Sequence, residues 1–285
     1  MLVEYINPFI NQLSYLALFQ YQYISSRARR KPRLSPSRSS TMSPKFEPTK
    51  PASKENSSTV STEIGQHFVE EFHLNLNEEQ TLAFRIIANH SIGQSKFGDQ
   101  LRMGIFGEGG TGKSRLIMAI RAWFCRLGRS ESLVITATTG FAAFKINGTT
   151  LHCGVGIRVE KGDHGGQKVT DSDQRRTAWI NRQYLIVDEV SMMDCNTLAR
   201  LHTQLSLLKS RPSDLFGGIN VIFLGDFLQF PSVSQMDVYL NADRCEFGHR
   251  LWRSLNCIVI LKKQRDKVND PEYASLLSRI RSFSY

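Results

Sequence analysis

Gly107, Gly112, Lys113 and Ser114 are the residues of this 285-residue chain whose types and spacing are best suited to chemistry. They fill every fixed position of the pattern G-x-x-x-x-G-K-[ST], and Glu108, Gly109, Gly110 and Thr111 complete the turn between them. Glycines let successive backbone N–H groups converge on one anion. Lys113 can then reach the outer phosphates of a nucleoside triphosphate, and Ser114 can offer its hydroxyl to Mg²⁺. Met103, Ile105 and Phe106, just before the turn, read as a buried strand. From Arg115 to Leu127 the apolar residues keep helical spacing and stop at Gly128, which places the phosphates at a helix N-terminus.

Two further groups follow in chain order. Leu185 to Glu189 reads LIVDE, an apolar strand ending in two acids. A carboxylate at that edge, Asp188, can hold Mg²⁺, largely through water, and Glu189 can polarise an attacking water. Gly225-Asp226-Phe227-Leu228-Gln229 comes directly after the apolar run VIFL. A carboxamide at a strand exit, Gln229, can touch both a γ-phosphate and the attacking water. The order GKS, DE, GDxxQ is more specific than any one of its members.

The elements that must position these groups are legible as an alternation. Five apolar runs read as buried strands: 103–106, 133–137, 184–187, 221–224 and 257–261. Helical patterns lie near 114–127, 140–146 and 193–208, and a last helix starts at Asp270-Pro271. Asn77 reads as an N-cap with Gln80 at the third helical position, followed by Leu82, Phe84, Ile86 and Ile87. Near-continuous apolar strands alternating with helices predict an α/β domain, a parallel sheet covered by helices on both faces. Residues 158–180, polar, glycine-bearing and without period, are expected to form a long surface loop.

Composition places the rest. The chain carries a formal charge of +10, but residues 1–60 hold nine Lys/Arg against three Glu, so the high pI is largely a property of this tail. RARRKPR (27–33) reads as a nuclear import signal, a polyanion-binding patch or a solvated charge run, and Ser35–Ser61 has a Ser/Pro/Thr/Lys composition that does not fold. The expected organisation is therefore a disordered basic tail over 1–61 and a folded domain over 62–285. Five scattered cysteines without a C-x-x-C pair argue against a zinc site and a disulfide framework. No apolar run approaches the roughly 20 residues that span a bilayer, so no membrane partner is expected.

On these residues the chain resembles the PIF family of superfamily 1B DNA helicases, including the related helicases of rolling-circle transposons, from about Leu76 to Ser282. LNEEQ (76–80) is similar to the family's adenine-reading element, which implies Gln80 as the adenine contact. GEGGTGKS matches its phosphate loop. ATTGFAAFKINGTTLHCGVGI (137–157) is similar to a stretch implicated in single-strand contact. VDEVSMMD (187–194) and FGGINVIFLGDFLQFPSV (216–233) are close to its next two elements, and Arg265 resembles the arginine that reaches the γ-phosphate. Phe230-Pro231-Ser232 replaces the family's usual Leu-Pro-Pro, and Asp266 follows Arg265 where Gln is usual.

The resemblance implies a P-loop, RecA-like motor domain using ATP and Mg²⁺ to move 5′ to 3′ on single-stranded DNA or a forked duplex. It also implies roles of the repair, recombination or telomere-maintenance type, in the nucleus or alternatively the mitochondrion. Family members carry a second motor domain; the chain ends at Tyr285, about where the first would end, which reads as a truncated form. One alternative is an ATP- and single-strand-DNA-binding fragment without unwinding activity; another is a different P-loop enzyme. Thr138, Thr139, Phe141, Gly148, Thr150 and His152 are the candidate DNA contacts: hydroxyls for phosphates, a small residue for close backbone approach, and an aromatic to stack a base. Phe141 reads equally as helix core, and His152 as a residue ordering its loop.

Overall fold

The computed structural model describes residues 68–74, 77–94, 100–157, 170–229, 232, 237–239 and 246–263. The expected tail, Arg265 and the helix expected from Asp270 lie outside the described residues. Six strands form one sheet: β1 (Arg102–Gly107), β2 (Leu133–Ala137), β3 (Thr149–Thr150), β4 (Tyr184–Asp188), β5 (Asn220–Gly225) and β6 (Cys257–Leu261), in the order β3-β2-β4-β5-β1-β6. Every pairing is parallel, with Met103 opposite Ile222 on one side and Cys257 on the other. β4 and β5 are buried along their whole lengths, which is why their sequences are continuous apolar runs rather than alternating ones.

Successive strand residues serve opposite faces. Ile105, Ile186, Ile222 and Leu224 join the core built with α1 (Glu78–Ser91) and α2 (Lys113–Arg126), around Phe84, Trp123 and Phe124. Phe106 and Phe223 face the other way, onto Trp252 of α7 (Glu246–Arg253), and Phe223 meets Phe216, which packs on His202 of α6 (Cys195–Lys209). The expected two-faced α/β sheet is what forms. Asn77 caps α1 as read, its side chain accepting the Gln80 N–H at 3.0 Å, with Glu78 and Glu79 in the first turn.

The long loop expected over 158–180 is a misreading of its second half, because Thr170–Trp179 is a helix, α5. Its apolar face is reduced to one residue, Trp179, 5% exposed, while 174–178 are exposed, so no period was available. What ends the helix comes from elsewhere in the chain. Lys209 Nζ donates to the carbonyls of Trp179 (3.1 Å), Ile180 (2.8 Å) and Arg182 (3.1 Å), satisfying orphaned helix-end acceptors. Three short elements also went unread: β3, α7, and α4 (Leu151–Val155), which follows α3 (Gly140–Lys145). None of the described helices is long and apolar enough to cross a membrane.

Candidate active site: a phosphate loop with its carboxylates

β1 ends at Gly107 and α2 begins at Lys113, so Glu108–Gly112 is the turn between them. Gly110 and Gly112 sit at φ 77° and 85°, the left-handed region that costs other residues energy. A side chain at Gly107 would meet the Leu261 carbonyl at 2.7 Å, because β6 lies alongside. The turn is tied internally: Thr111, fully buried, donates to the Glu108 carbonyl through Oγ1 (2.6 Å) and N–H (3.3 Å). Lys113 Nζ donates to the carbonyls of Gly107 (2.6 Å) and Glu108 (3.1 Å), which holds the ammonium over the loop. Glu108 thus contributes its backbone. Gly109 and Ser114 are exposed at the loop's mouth.

Gln80 lies behind this loop. Its Nε2 donates to the Thr111 carbonyl at 2.5 Å, and a Cβ on Gly112 would collide with that nitrogen. Its Oε1 is buried with no hydrogen-bond partner among the described residues, an acceptor able to take a donor from a ligand.

β5 separates β4 from β1, so Asp188 reaches the loop across the end of an intervening strand rather than from the neighbouring one. Asp188 is 5% exposed, and its carboxyl is raised to about 6, first by burial and then by the charge of Glu189. The Glu189 N–H, donating to Oδ1 at 3.0 Å, and the charge of Lys113 act in the opposite direction. Asp188 therefore sits within electrostatic reach of both Lys113 and a second carboxylate. Glu189 takes φ 56°, ψ 45°, a left-handed conformation in a non-glycine residue. Thr138 braces it, Oγ1 donating to the Glu189 carbonyl at 2.8 Å and N–H to the Asp188 carbonyl at 3.1 Å.

After β5, Asp226 Oδ1 accepts the Leu228 N–H (3.1 Å) and the Asp226 carbonyl accepts the Gln229 N–H (3.0 Å). This Asx turn swings Gln229 back over the phosphate loop, where its Nε2 lies 3.6 Å from the Cβ position of Gly109. The structure thus brings Lys113, Asp188 and Gln229 to one end of the sheet. The Asp-x-Leu spacing was the signal available for the brace at Asp226; nothing in the sequence pointed to Thr138 as a brace for Glu189.

The 137–157 stretch runs from the end of β2 through α3, β3 and α4. Thr139 caps α3, accepting the Ala142 N–H at 3.2 Å, and Thr150 caps α4, accepting the Cys153 N–H at 3.4 Å. Phe141 is 71% exposed, which removes the helix-core reading, and Lys145 Nζ stands 4.5 Å from its ring centroid. Gly148 has a reason of its own for being small: a Cβ would lie 2.6 Å from the Ile135 carbonyl of β2. For His152 the structure shows the backbone carbonyl ordering the loop, accepting the Gly156 and Ile157 N–H groups.

No cluster of three or more His, Cys, Asp or Glu side chains able to hold a metal ion occurs among the described residues. A hydroxyl at Ser114 and a buried carboxylate at Asp188 fit Mg²⁺, which keeps several waters and shares a nucleotide's phosphate oxygens rather than needing an all-protein cage.

Residues 75–284 match the PIF1-like helicase family model. The chain is 34% identical over 177 residues to the ATP-dependent DNA helicase RRM3 of Saccharomyces cerevisiae, covering 61% of this chain and 24% of that protein. With the ATP-dependent DNA helicase PIF1 of Mus musculus it shares 30% identity over 207 residues, covering 72% and 29%. The chain thus spans about a quarter of the length of these relatives. The crystal structure of the Pif1 helicase from Candida albicans superposes with a TM-score of 0.54 and 26% identity, over 71% of this chain and 43% of that one. Phosphate loop, paired acids, glutamine turn and family match agree: the chain belongs to the PIF1-like helicase family.

Proposed function

We propose that residues 62–285 are an ATP-hydrolysing motor domain of a 5′-to-3′ DNA helicase acting on single-stranded or forked DNA in the nucleus or mitochondrion. The roles in view are in repair, recombination or telomere maintenance, as for the helicases it resembles. The observation that carries the reading is the convergence of Lys113, Asp188 and Gln229 on the turn Gly107–Ser114, from three different strand ends.

In this reading the N–H groups of Gly109–Ser114 and the Lys113 ammonium take the β- and γ-phosphates, Thr111 N–H and Lys113 being released from the carbonyls they now hold. Gln80 Oε1 accepts from the adenine amino group, a use for its buried acceptor. Ser114 and Asp188 hold Mg²⁺, which when bound neutralises charge on the transferring phosphoryl group. Glu189 accepts a proton from the water that attacks the γ-phosphorus, while the bond to the bridging oxygen breaks and ADP leaves. Gln229 orients that water and senses the γ-phosphate, with Arg265 as a further contact. Exposed Phe141 offers a stacking surface for a base, and Thr138, Thr139, Gly148, Thr150 and His152 lie on the segments that would track the strand.

The test is ATP hydrolysis with and without single-stranded DNA, alongside strand separation on a fork. Turnover stimulated by DNA and abolished by Lys113→Ala is expected. Undiminished turnover in that variant would remove the site assignment, and stimulated turnover without strand separation would favour the ATP- and DNA-binding reading over unwinding.

A further inference from the structure

Asp237 lies outside every motif that led to the site, yet its carboxylate grips both flanks of the Gln229 turn. It is 6% exposed and both of its oxygens are used. Oδ1 accepts the Ser232 N–H at 2.9 Å, three residues after Gln229. Oδ2 accepts the Tyr239 hydroxyl at 3.0 Å. The Tyr239 ring stands edge-on to Phe227, two residues before Gln229, at 5.1 Å between centroids. Phe227 is packed in turn against Phe106 (5.1 Å), the residue preceding Gly107, and against Trp252 (5.6 Å).

The backbone of Asp237 adds a third attachment. It forms an isolated antiparallel bridge with Asp194, and its carbonyl accepts the Cys195 thiol at 3.4 Å. Asp194 is the N-cap of α6, five residues after Glu189. One buried residue thus links the segment following the paired acids to both sides of the glutamine turn.

We propose that Asp237 is a positioning residue, fixing the Gln229 carboxamide over the phosphate loop so that it can read the γ-phosphate. The inference rests on the assignment of Gln229 made above. Two features favour a positioning role over ordinary packing. A carboxylate is an expensive group to bury when an apolar residue can fill the same volume, and it is kept where directional acceptance is needed. Its bond to Tyr239 is charge-assisted, and the phenol is held protonated, its pKa raised by burial and then by the Asp237 charge.

The experiment measures the preference of the full chain for a fluorescent β,γ-imido ATP analogue over the matching fluorescent ADP. This ratio isolates γ-phosphate recognition and needs no turnover. Gln229→Ala is expected to lower it by about tenfold, the loss of one hydrogen bond to a charged group. Asp237→Ala should lower it as much, with ADP affinity unchanged, and the double variant should show no further loss. Tyr239→Phe, which removes only the hydroxyl, should lower it in the same direction. Asp237→Asn should retain most of it, because its Oδ1 can still accept from Ser232 and its Nδ2 can donate to the Tyr239 oxygen. If Asp237→Ala fails to bind ADP, Tyr239→Phe decides. Losses that multiply in the double variant, or an unchanged ratio in Asp237→Ala and Tyr239→Phe, overturn the inference alone. A wild-type ratio in Gln229→Ala overturns the Gln229 assignment, and the inference with it.

Discussion

Replacing Asp188 by Asn should make the nucleotide-free protein more stable, and by an amount that depends on pH. In the folded chain the Asp188 carboxyl titrates at about 6, raised from 3.8 chiefly by burial. Between those values the folded state holds a proton that the unfolded state has released, so stability falls as pH rises through about 4 to 6. Above that window the full cost of an ionised, buried carboxylate is present, about 3 kcal/mol at about 1.4 kcal/mol per pH unit. The carboxamide of the Asp188→Asn variant retains an oxygen able to accept the Glu189 N–H that Oδ1 now accepts at 3.0 Å, so the substitution removes the charge without orphaning that donor. Urea unfolding of Asp188→Asn at pH 8 should therefore give a gain of about 2–3 kcal/mol, or roughly 4–12 °C in melting temperature for a domain of this size. The gain should shrink steadily below pH 6 and be nearly absent at pH 4. A destabilised variant at pH 8, or a gain equal at pH 4 and pH 8, would refute the reasoning. The same variant should lose Mg²⁺-dependent nucleotide hydrolysis, the familiar opposition of stability and function at a site.

Two further outcomes follow from contacts away from the carboxylates. Gly112→Ala drives a Cβ into Gln80 Nε2 at φ 85°, so it should cost about 2–4 kcal/mol in unfolding free energy and abolish ATP-analogue binding. Adding Gln80→Ala should recover part of the stability but not the binding, and unimpaired binding in Gly112→Ala would contradict the described loop. Lys209→Met removes the donor shared by the carbonyls of Trp179, Ile180 and Arg182. It should cost about 1–2 kcal/mol, discounted for partial exposure, with faster amide exchange confined to 170–182; exchange unchanged there would show that α5 does not depend on this cap.

The sheet was legible because its strands are uninterrupted apolar runs, β4 and β5 being buried along their whole lengths; the five read from sequence lie within one residue of the observed ends. β3, two residues long, carries too few side chains to register as a run. α5 was invisible for a different reason. Two of its contacts, the buried Trp179 and a lysine 30 residues away, leave no periodic trace. At the site, the phosphate loop was legible because it is a backbone requirement written as glycines. The packing of Gln80 on Gly112, the insertion of β5 between Asp188 and the loop, and the brace from Thr138 are contacts between distant segments, which spacing along the chain does not encode.

The end of β4 combines two arrangements that folding alone disfavours. Asp188 is buried while inclined to ionise, and Glu189 takes a left-handed conformation that glycine would adopt at about 1 kcal/mol less. Packing does not require either. An apolar residue at 188 and glycine at 189 would complete the same strand and the same turn at lower cost. Both costs have one thing in common: each keeps a carboxylate at the C-terminal end of β4, where Asp188 feels the charge of Lys113. A divalent cation beside Asp188 would offset the burial cost by supplying the opposite charge that the folded chain provides only partly, through Lys113. The left-handed turn keeps a second carboxyl next to the first, raising its pKa further, an arrangement that is unfavourable until a cation or a proton divides the negative charge between them. The costs at these two adjacent positions are held in place by the surrounding structure, through Thr138 and through the largely buried strands on either side of β4.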